Sequence, residues 1–360
     1  MYNFTVGPVM SYKETLEIAG KQTPYFRTSE FSELMLENEK LMLDYLNAPM
    51  GSRCAFLTAS GTGAMEASVA GLLSKQDKVG IINGGTFGQR FVELCQIHSI
   101  PYIEIKCEFS KQIEQEQLSE LIGEGITALL VNMHETSSGL LYDMKMISEF
   151  CKKNSVFLIV DAISSFLADF LDMSEISANA VIVSSQKALA LQPGISVVVM
   201  DQKALERVYK TDVHCMYLSL REALENMKRG QTPYTPAVSI LLQLNTRLKM
   251  IQQRGGVSFE IENVKKLALD FRNRISKYPV KMLISDDKNR SSAVTAIVTE
   301  RNTAVEICEV LKDKYDIWVC PNGGAYKEQI FRVGHIGAIT IEDYDALFCA
   351  FDELKDSNFF

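Results

Sequence analysis

Tryptophan occurs once and histidine four times in 360 residues, and no two of the eight cysteines share the C-x-x-C spacing of a zinc or redox site. Cys54, Cys95, Cys107, Cys151, Cys215, Cys308, Cys320 and Cys349 stand singly, most of them in apolar runs, where a free thiol acts as a small hydrophobe. That usage points to a reducing compartment and gives no reason to expect a metal. Long apolar runs are missing too. Thr127–Met133 and Ile195–Met200 are strand-sized, far below the roughly 20 residues of a membrane span. Lys and Arg nowhere cluster densely and the net charge is -8, which argues against nucleic acid as a partner. The segment from Met1 to Gly20 lacks a basic start followed by an apolar stretch, so a cytoplasmic protein without a membrane partner is expected. There is no low-complexity segment and no internal repeat.

What is present is a regular alternation. Seven short apolar runs, Cys54–Leu57, Val79–Ile82, Tyr102–Ile105, Ala128–Val131, Val156–Val160, Ala180–Val183 and Ile195–Val199, are separated in several places by helical patterns near residues 63–73, 87–98, 113–122 and 143–153. Fully apolar strands alternating with helices predict an α/β fold with a mostly parallel seven-stranded sheet covered on both faces. An amphipathic helix over Ser29 to Asn47 precedes them, and a long helix from Pro236 to about Gln253 follows, closed by Gly255-Gly256. The rest reads as a smaller α+β unit: helix, strand Ala293–Val298, helix Thr303–Lys314, short strands and a final helix Ile341–Leu354. The expected division is a segment 1–15, a large domain 16–255 and a small C-terminal domain 256–360.

Ligands of open parallel sheets sit beyond the carboxyl ends of the strands. Val156–Val160 runs into Asp161, and Ala180–Val183 runs into Ser184-Ser185-Gln186-Lys187. Singly, such residues serve as a turn acid and a solvated lysine. Together they meet the needs of pyridoxal phosphate, whose aldehyde requires a lysine amine and whose pyridine nitrogen requires an acid. Its phosphate requires a cradle, and Ser60-Gly61-Thr62-Gly63 turns from a strand into a helix whose first amides attract an anion. A second anion site is suggested by Thr232-Pro233-Tyr234-Thr235-Pro236, with Pro236 at the first helical position and Thr235 as the cap; an ordinary proline-bounded helix start explains that stretch equally well.

These residues resemble the class V aminotransferases of fold-type I, the group of alanine–glyoxylate, serine–pyruvate and 2-aminoethylphosphonate–pyruvate transaminases. The resemblance spans nearly the whole chain in order: Phe4 to Pro8, Phe26-Arg27 with Glu30-Phe31, Ser60 to Glu66, Asn83 to Arg90, His134 to Gly139, Val160 to Ser165, Ser185 to Leu189 with Pro193-Gly194, Thr232 to Pro236, and Phe331 to Gly337. It implies a fold-type I enzyme with pyridoxal 5′-phosphate on Lys187, Asp161 at the pyridine nitrogen, Phe87 and Ile163 on the two faces of the ring, and Thr136 near its O3′. It also implies a phosphate site from Ser60, Gly61, Thr62 and Gln186, completed by Tyr234 and Thr235 of a neighbouring subunit in a homodimer with shared sites. Arg332 matches the arginine that grips the substrate anion, for which a planar fork is suited, and Gly7 lies on the segment that passes over the substrate. The partners implied are a small amino donor (alanine, serine, glutamate or 2-aminoethylphosphonate type) and a 2-oxo acid acceptor, reacting in ping-pong order. His134 and His335 read as structural hydrogen-bonders.

Two rivals share parts of this pattern. A cysteine desulfurase of the same fold needs a nucleophilic cysteine on a mobile loop; Cys320 precedes Arg332, but it ends the apolar run Ile317–Val319, and Gln186 and Phe87 stand where desulfurases carry histidines. A dinucleotide-binding oxidoreductase needs a G-x-G-x-x-G turn, which Ser60–Glu66 does not supply.

Overall fold

The computed structural model describes residues 1–301, 303–357 and 359. Its centre is a seven-stranded sheet in the spatial order Arg53–Leu57, Ser196–Met200, Ala180–Ser184, Phe157–Asp161, Ala128–Asn132, Val79–Asn83, Tyr102–Lys106. Runs such as Phe157–Asp161 and Ser196–Met200 are buried at every position, as β-branched stretches sandwiched between helical layers must be. Each large apolar side chain so enclosed contributes about 1.5–3 kcal/mol. One strand breaks the parallel order: Ser196–Met200 pairs antiparallel with both Ala180–Ser184 and Arg53–Leu57. Two reversals cancel, so Arg53–Leu57 runs in the same direction as the other strands. The chain therefore leaves Leu57, Asn83, Asn132, Asp161 and Ser184 at one edge of the sheet.

Separate apolar clusters fill the two sides of this sheet. A third surrounds Phe271, Phe331, Tyr344 and Phe351 under a four-stranded antiparallel sheet ordered Val280–Met282, Val294–Thr299, Ile330–Gly334, Cys320–Pro321. Phe4 belongs to this third cluster, and the amino-terminal residues bridge a two-stranded pairing with Ile317–Trp318 and the four-stranded sheet: Phe4 N donates to Trp318 O at 2.8 Å and Gly334 N to Phe4 O at 2.6 Å.

The long helices Val238–Gln253 and Gly256–Ile275 are tied to each other by a buried ion pair, and to the segment after Ala180–Ser184 by a hydrogen bond. Arg247 Nη2 lies 2.5 Å from Glu260 Oε2, and Arg247 Nε donates to Leu189 O, two residues beyond Lys187. Between the two sheets, buried Asp169 accepts from Ser292 N at 2.7 Å and from Ser291 Oγ.

One predicted boundary fails. The helix expected from Pro236 starts at Val238, so Thr235 caps nothing; Ala237 holds the cap position and its amide donates to Thr58 Oγ1 at 3.0 Å. The helices Lys13–Ala19, Gln202–Lys210 and Leu220–Met227 were not resolved in the sequence pattern.

Candidate active site

Asp161 closes its strand with a side chain only 5% exposed. Its Oδ1 accepts from Ile163 N at 2.8 Å, while Oδ2 meets no protein donor among the described residues. Burial pushes this carboxyl up to about 6; the Glu135 charge adds to the rise, and the Ile163 amide, Lys187 and Arg90 oppose it. Lys187, 8% exposed, stands at the same edge, and burial brings its ammonium down to about 8. Its Nζ donates to Val6 O at 2.6 Å. The next residue, Gly7, has φ +127°, a conformation natural only to glycine, and a Cβ there would lie 2.8 Å from Lys187 Cδ.

Ser60, Gly61 and Thr62 form the turn into the helix Gly61–Leu72, and Ser60 makes no side-chain capping bond there. Gly61 is required by close approach, since a Cβ would collide with Ile163 Cδ1. The ring-facing and anion-facing parts of the expected site are thus in contact. Phe87 starts the helix Thr86–Ile97; its amide donates to Glu135 Oε2 at 3.3 Å, and the Arg90 guanidinium carbon sits 5.0 Å from its ring centroid. Arg90 Nη1 also donates to Thr62 Oγ1 at 3.0 Å. Gln186 is half-buried, its Oε1 accepting from Ser184 Oγ at 2.6 Å.

Thr136 is buried and donates through Oγ1 to Ser164 Oγ at 2.9 Å, while its carbonyl accepts from Arg332 Nη1 at 3.0 Å. Arg332 Nη2 donates to Pro321 O at 2.8 Å and contacts Cys320 Sγ at 3.1 Å, its partner across the antiparallel ladder. Arg332 Nε is buried and meets no partner among the described residues, leaving a donor open for an anion.

The chain thus pairs Gly7 with Lys187 and Thr136 with Arg332, brings Gly61, Thr62, Phe87, Asp161 and Ile163 together at the sheet edge, and sets the Lys187 charge near those of Arg332 and Asp161. Tyr234 and Thr235 join neither. Tyr234 stacks on Tyr217 and donates to Met216 O at 3.3 Å, and Thr235 is exposed.

The sequence reasoning missed Glu135, Arg90 and Val6. Glu135 is fully buried and accepts from Ser137 Oγ at 2.6 Å, Asn132 Nδ2 at 3.0 Å and the Phe87 amide. An acid inside a hydroxyl-rich segment was the available signal. His335 is the hydrogen-bonder expected, between Thr295 Oγ1 and Tyr344 OH. His134 is not: neither ring nitrogen finds a partner at hydrogen-bonding geometry among the described residues, and burial depresses it to about 3, leaving it neutral.

Chemically the cluster fits a flat ring with a basic nitrogen and an anionic tail. A buried carboxylate with one open oxygen suits a ring N–H, and a glycine-lined helix start suits a phosphate. The family model described as Aminotransferase class-V matches residues 10–326. This chain belongs to the aminotransferase class-V family. A relative described as an uncharacterized aminotransferase of Helicobacter pylori is 30% identical over 95% of this chain and 90% of its own. The L-aspartate–glyoxylate aminotransferase of Paracoccus denitrificans is 25% identical over 94% and 86%. The fold is that of the alanine–glyoxylate aminotransferase structure from Nostoc, with a TM-score of 0.92 at 20% identity, covering 98% of this chain and 94% of that one.

Proposed function

We propose that this class-V transaminase works at the strand-end cluster with Lys187 and Asp161 as its catalytic pair. The cofactor is pyridoxal phosphate, and the reaction moves an amino group from a small donor to a 2-oxo acid or related carbonyl compound in two half-reactions. The observation that carries the site assignment is the buried Asp161 with one unengaged oxygen beside a buried lysine of lowered basicity.

When bound, the cofactor supplies an electron sink for the charge left at the substrate α-carbon. Asp161 holds a proton on the ring nitrogen. Lys187 would anchor the cofactor and, as a free amine, would move the proton at the substrate α-carbon; burial lowers its basicity to about 8, which suits both directions of transfer. Phe87 and Ile163 would clasp the two faces of the ring, Thr136 would lie near its O3′, and the Ser60–Thr62 amides with Gln186 would hold the phosphate. Arg332, through its open Nε, orients the donor's anionic end, and the strap at Val6 and Gly7 covers the lysine and limits access of water.

Tyr234, which packs on Tyr217, and the exposed Thr235 lie apart from their own chain's cluster, and the proposal assigns them to a homodimer in which each reaches the neighbour's phosphate site. The same proposal takes in a division into a segment 1–15, a large domain 16–255 and a small domain 256–360, and a cytoplasmic setting. No helix among the described residues is long and apolar enough to cross a membrane.

Borohydride reduction of the holoenzyme followed by peptide mapping tests the assignment. The expected adduct is on Lys187, and an adduct on another lysine overturns it.

A further inference from the structure

The phosphate of the cofactor is a dianion, yet every residue so far placed around it is uncharged: Ser60, Gly61, Thr62, Gln186, Tyr234 and Thr235. A helix start supplies only about half a positive charge, and burying a phosphate against neutral groups alone is costly. One cation touches this cradle. Arg90 Nη1 donates to Thr62 Oγ1 at 3.0 Å, and no carboxylate pairs with its half-buried guanidinium among the described residues. Of its five N–H groups, the others make no hydrogen bond to the described protein. Lys187 and Arg332, the neighbouring cations, are engaged elsewhere, with Val6 O, Thr136 O and Pro321 O.

We propose that Arg90 is the counter-charge of the phosphate site: it neutralises the cofactor's phosphate across Thr62 and at the same time braces Phe87. Phe87 and Arg90 stand one helical turn apart on Thr86–Ile97, so the guanidinium reaches back over the ring, 5.0 Å from its centroid. With the cation on one face, the other face of Phe87 is left for the cofactor ring. One arginine thus couples the two recognition tasks, charge at the tail and stacking at the ring. It also explains why a cation is held near Asp161 and Lys187 without a salt-bridge partner, since the pairing anion arrives with the cofactor.

The inference rests on Ser60–Thr62 being the phosphate cradle, and the test separates the two. Full-length enzyme is stripped of cofactor, and the dissociation constants of pyridoxal phosphate and of pyridoxal, which lacks the phosphate, are measured by absorbance for wild type, Arg90→Gln, Arg90→Lys and Thr62→Val. Arg90→Gln keeps a donor for Thr62 but no charge. It is expected to lose about 10- to 100-fold in affinity for pyridoxal phosphate, as fits a charged hydrogen bond, while pyridoxal loses clearly less, only what the brace on Phe87 contributes, and its retained binding reports that the site is folded. Arg90→Lys should restore part of the preference for the phosphorylated form, and raised salt should weaken pyridoxal phosphate more in wild type than in Arg90→Gln. An unchanged preference in Arg90→Gln overturns the proposal, and so does an equal loss for both ligands, which would make Arg90 only a prop for Phe87. If Thr62→Val alone weakens pyridoxal phosphate, the cradle stands and the counter-charge falls. If neither variant does, the cradle reading falls as well.

Discussion

Lys187 Nζ lies 2.6 Å from the carbonyl of Val6, so the lysine is held by a strap drawn from the other end of the chain. The strap is tight because Gly7 packs on the lysine stem with φ +127°. Gly7→Ala should impose about 1–3 kcal/mol of backbone strain and push Lys187 out of line. The expected result is a fall in kcat of tenfold or more with the circular dichroism spectrum retained. Unchanged turnover would detach the strap from the chemistry.

Burial lowers the Lys187 pKa to about 8. In cofactor-free protein, modification of this residue by an amine-specific reagent should therefore rise with a midpoint near pH 8 rather than 10.5, read by peptide mapping across a pH series. The stability linkage has a definite sign. Between about pH 8 and 10.5 the unfolded chain binds the proton and the folded one does not, so this lysine's contribution to stability improves as pH rises through that window. Below it the cost of burying the ammonium is fully present.

Asp161 shows the opposite case for an acid. Its pKa is raised from 3.8 to about 6, so the carboxyl is protonated and uncharged in acid but becomes a buried anion above about pH 6. Stability is lost as pH rises through the window from 3.8 to 6. Asp161→Asn should melt higher than wild type at pH 8 in the cofactor-free state, by on the order of 1–3 kcal/mol, and show little difference at pH 4. Turnover of the same variant should fall by several orders of magnitude, because an amide does not hold the ring nitrogen protonated. A stable, fully active variant would make Asp161 a turn residue.

Arg332 is clamped by two backbone carbonyls and keeps Nε open. Arg332→Ala should retain the cofactor spectrum and lose roughly 2–5 kcal/mol of binding to anionic donors, with Arg332→Lys recovering part. Cys320, held at 3.1 Å from this guanidinium on a strand, should be dispensable: Cys320→Ser should keep the half-reaction with an amino donor, and rapid Cys320-dependent persulfide formation from cysteine would favour desulfuration.

Mixing Lys187→Ala and Thr235→Ala chains tests the shared site. In the mixed dimer one site should carry both defects and the other neither, restoring activity that each homodimer lacks or reduces. Sedimentation showing a fully active monomer would end this reading.

The seven strands and the edge at which they deliver Asp161 and Lys187 were legible because apolar runs of four or five residues between helical patterns leave few alternatives. The start of the helix at Val238 was not, because the amide of its cap residue Ala237 is satisfied by Thr58, a partner some 180 positions away that no local rule anticipates. Arg90 was hidden for a similar reason. Its spacing from Phe87 was visible, but its significance depends on the distant Thr62 hydroxyl. His134 sits inside a motif of hydrogen-bonding residues, but the fold buries its ring with neither nitrogen at full hydrogen-bonding geometry among the described residues.

The stitching of Phe4 to Trp318 and Gly334 has a consequence for how the enzyme is made. Contacts between the two ends of a chain are slow to form, because the loop they close is nearly the whole protein. During synthesis the large sheet gains all its strands once Met200 has emerged, yet the strap over Lys187 has nothing to pair with until the last third of the chain is out. From its own emergence until Trp318 and Gly334 have been made, the lysine therefore lacks the paired strap that covers it, and that covering is expected to come after the large sheet has formed. A bulky fusion at Met1 would interfere at that moment, delaying closure while leaving the sheet itself intact.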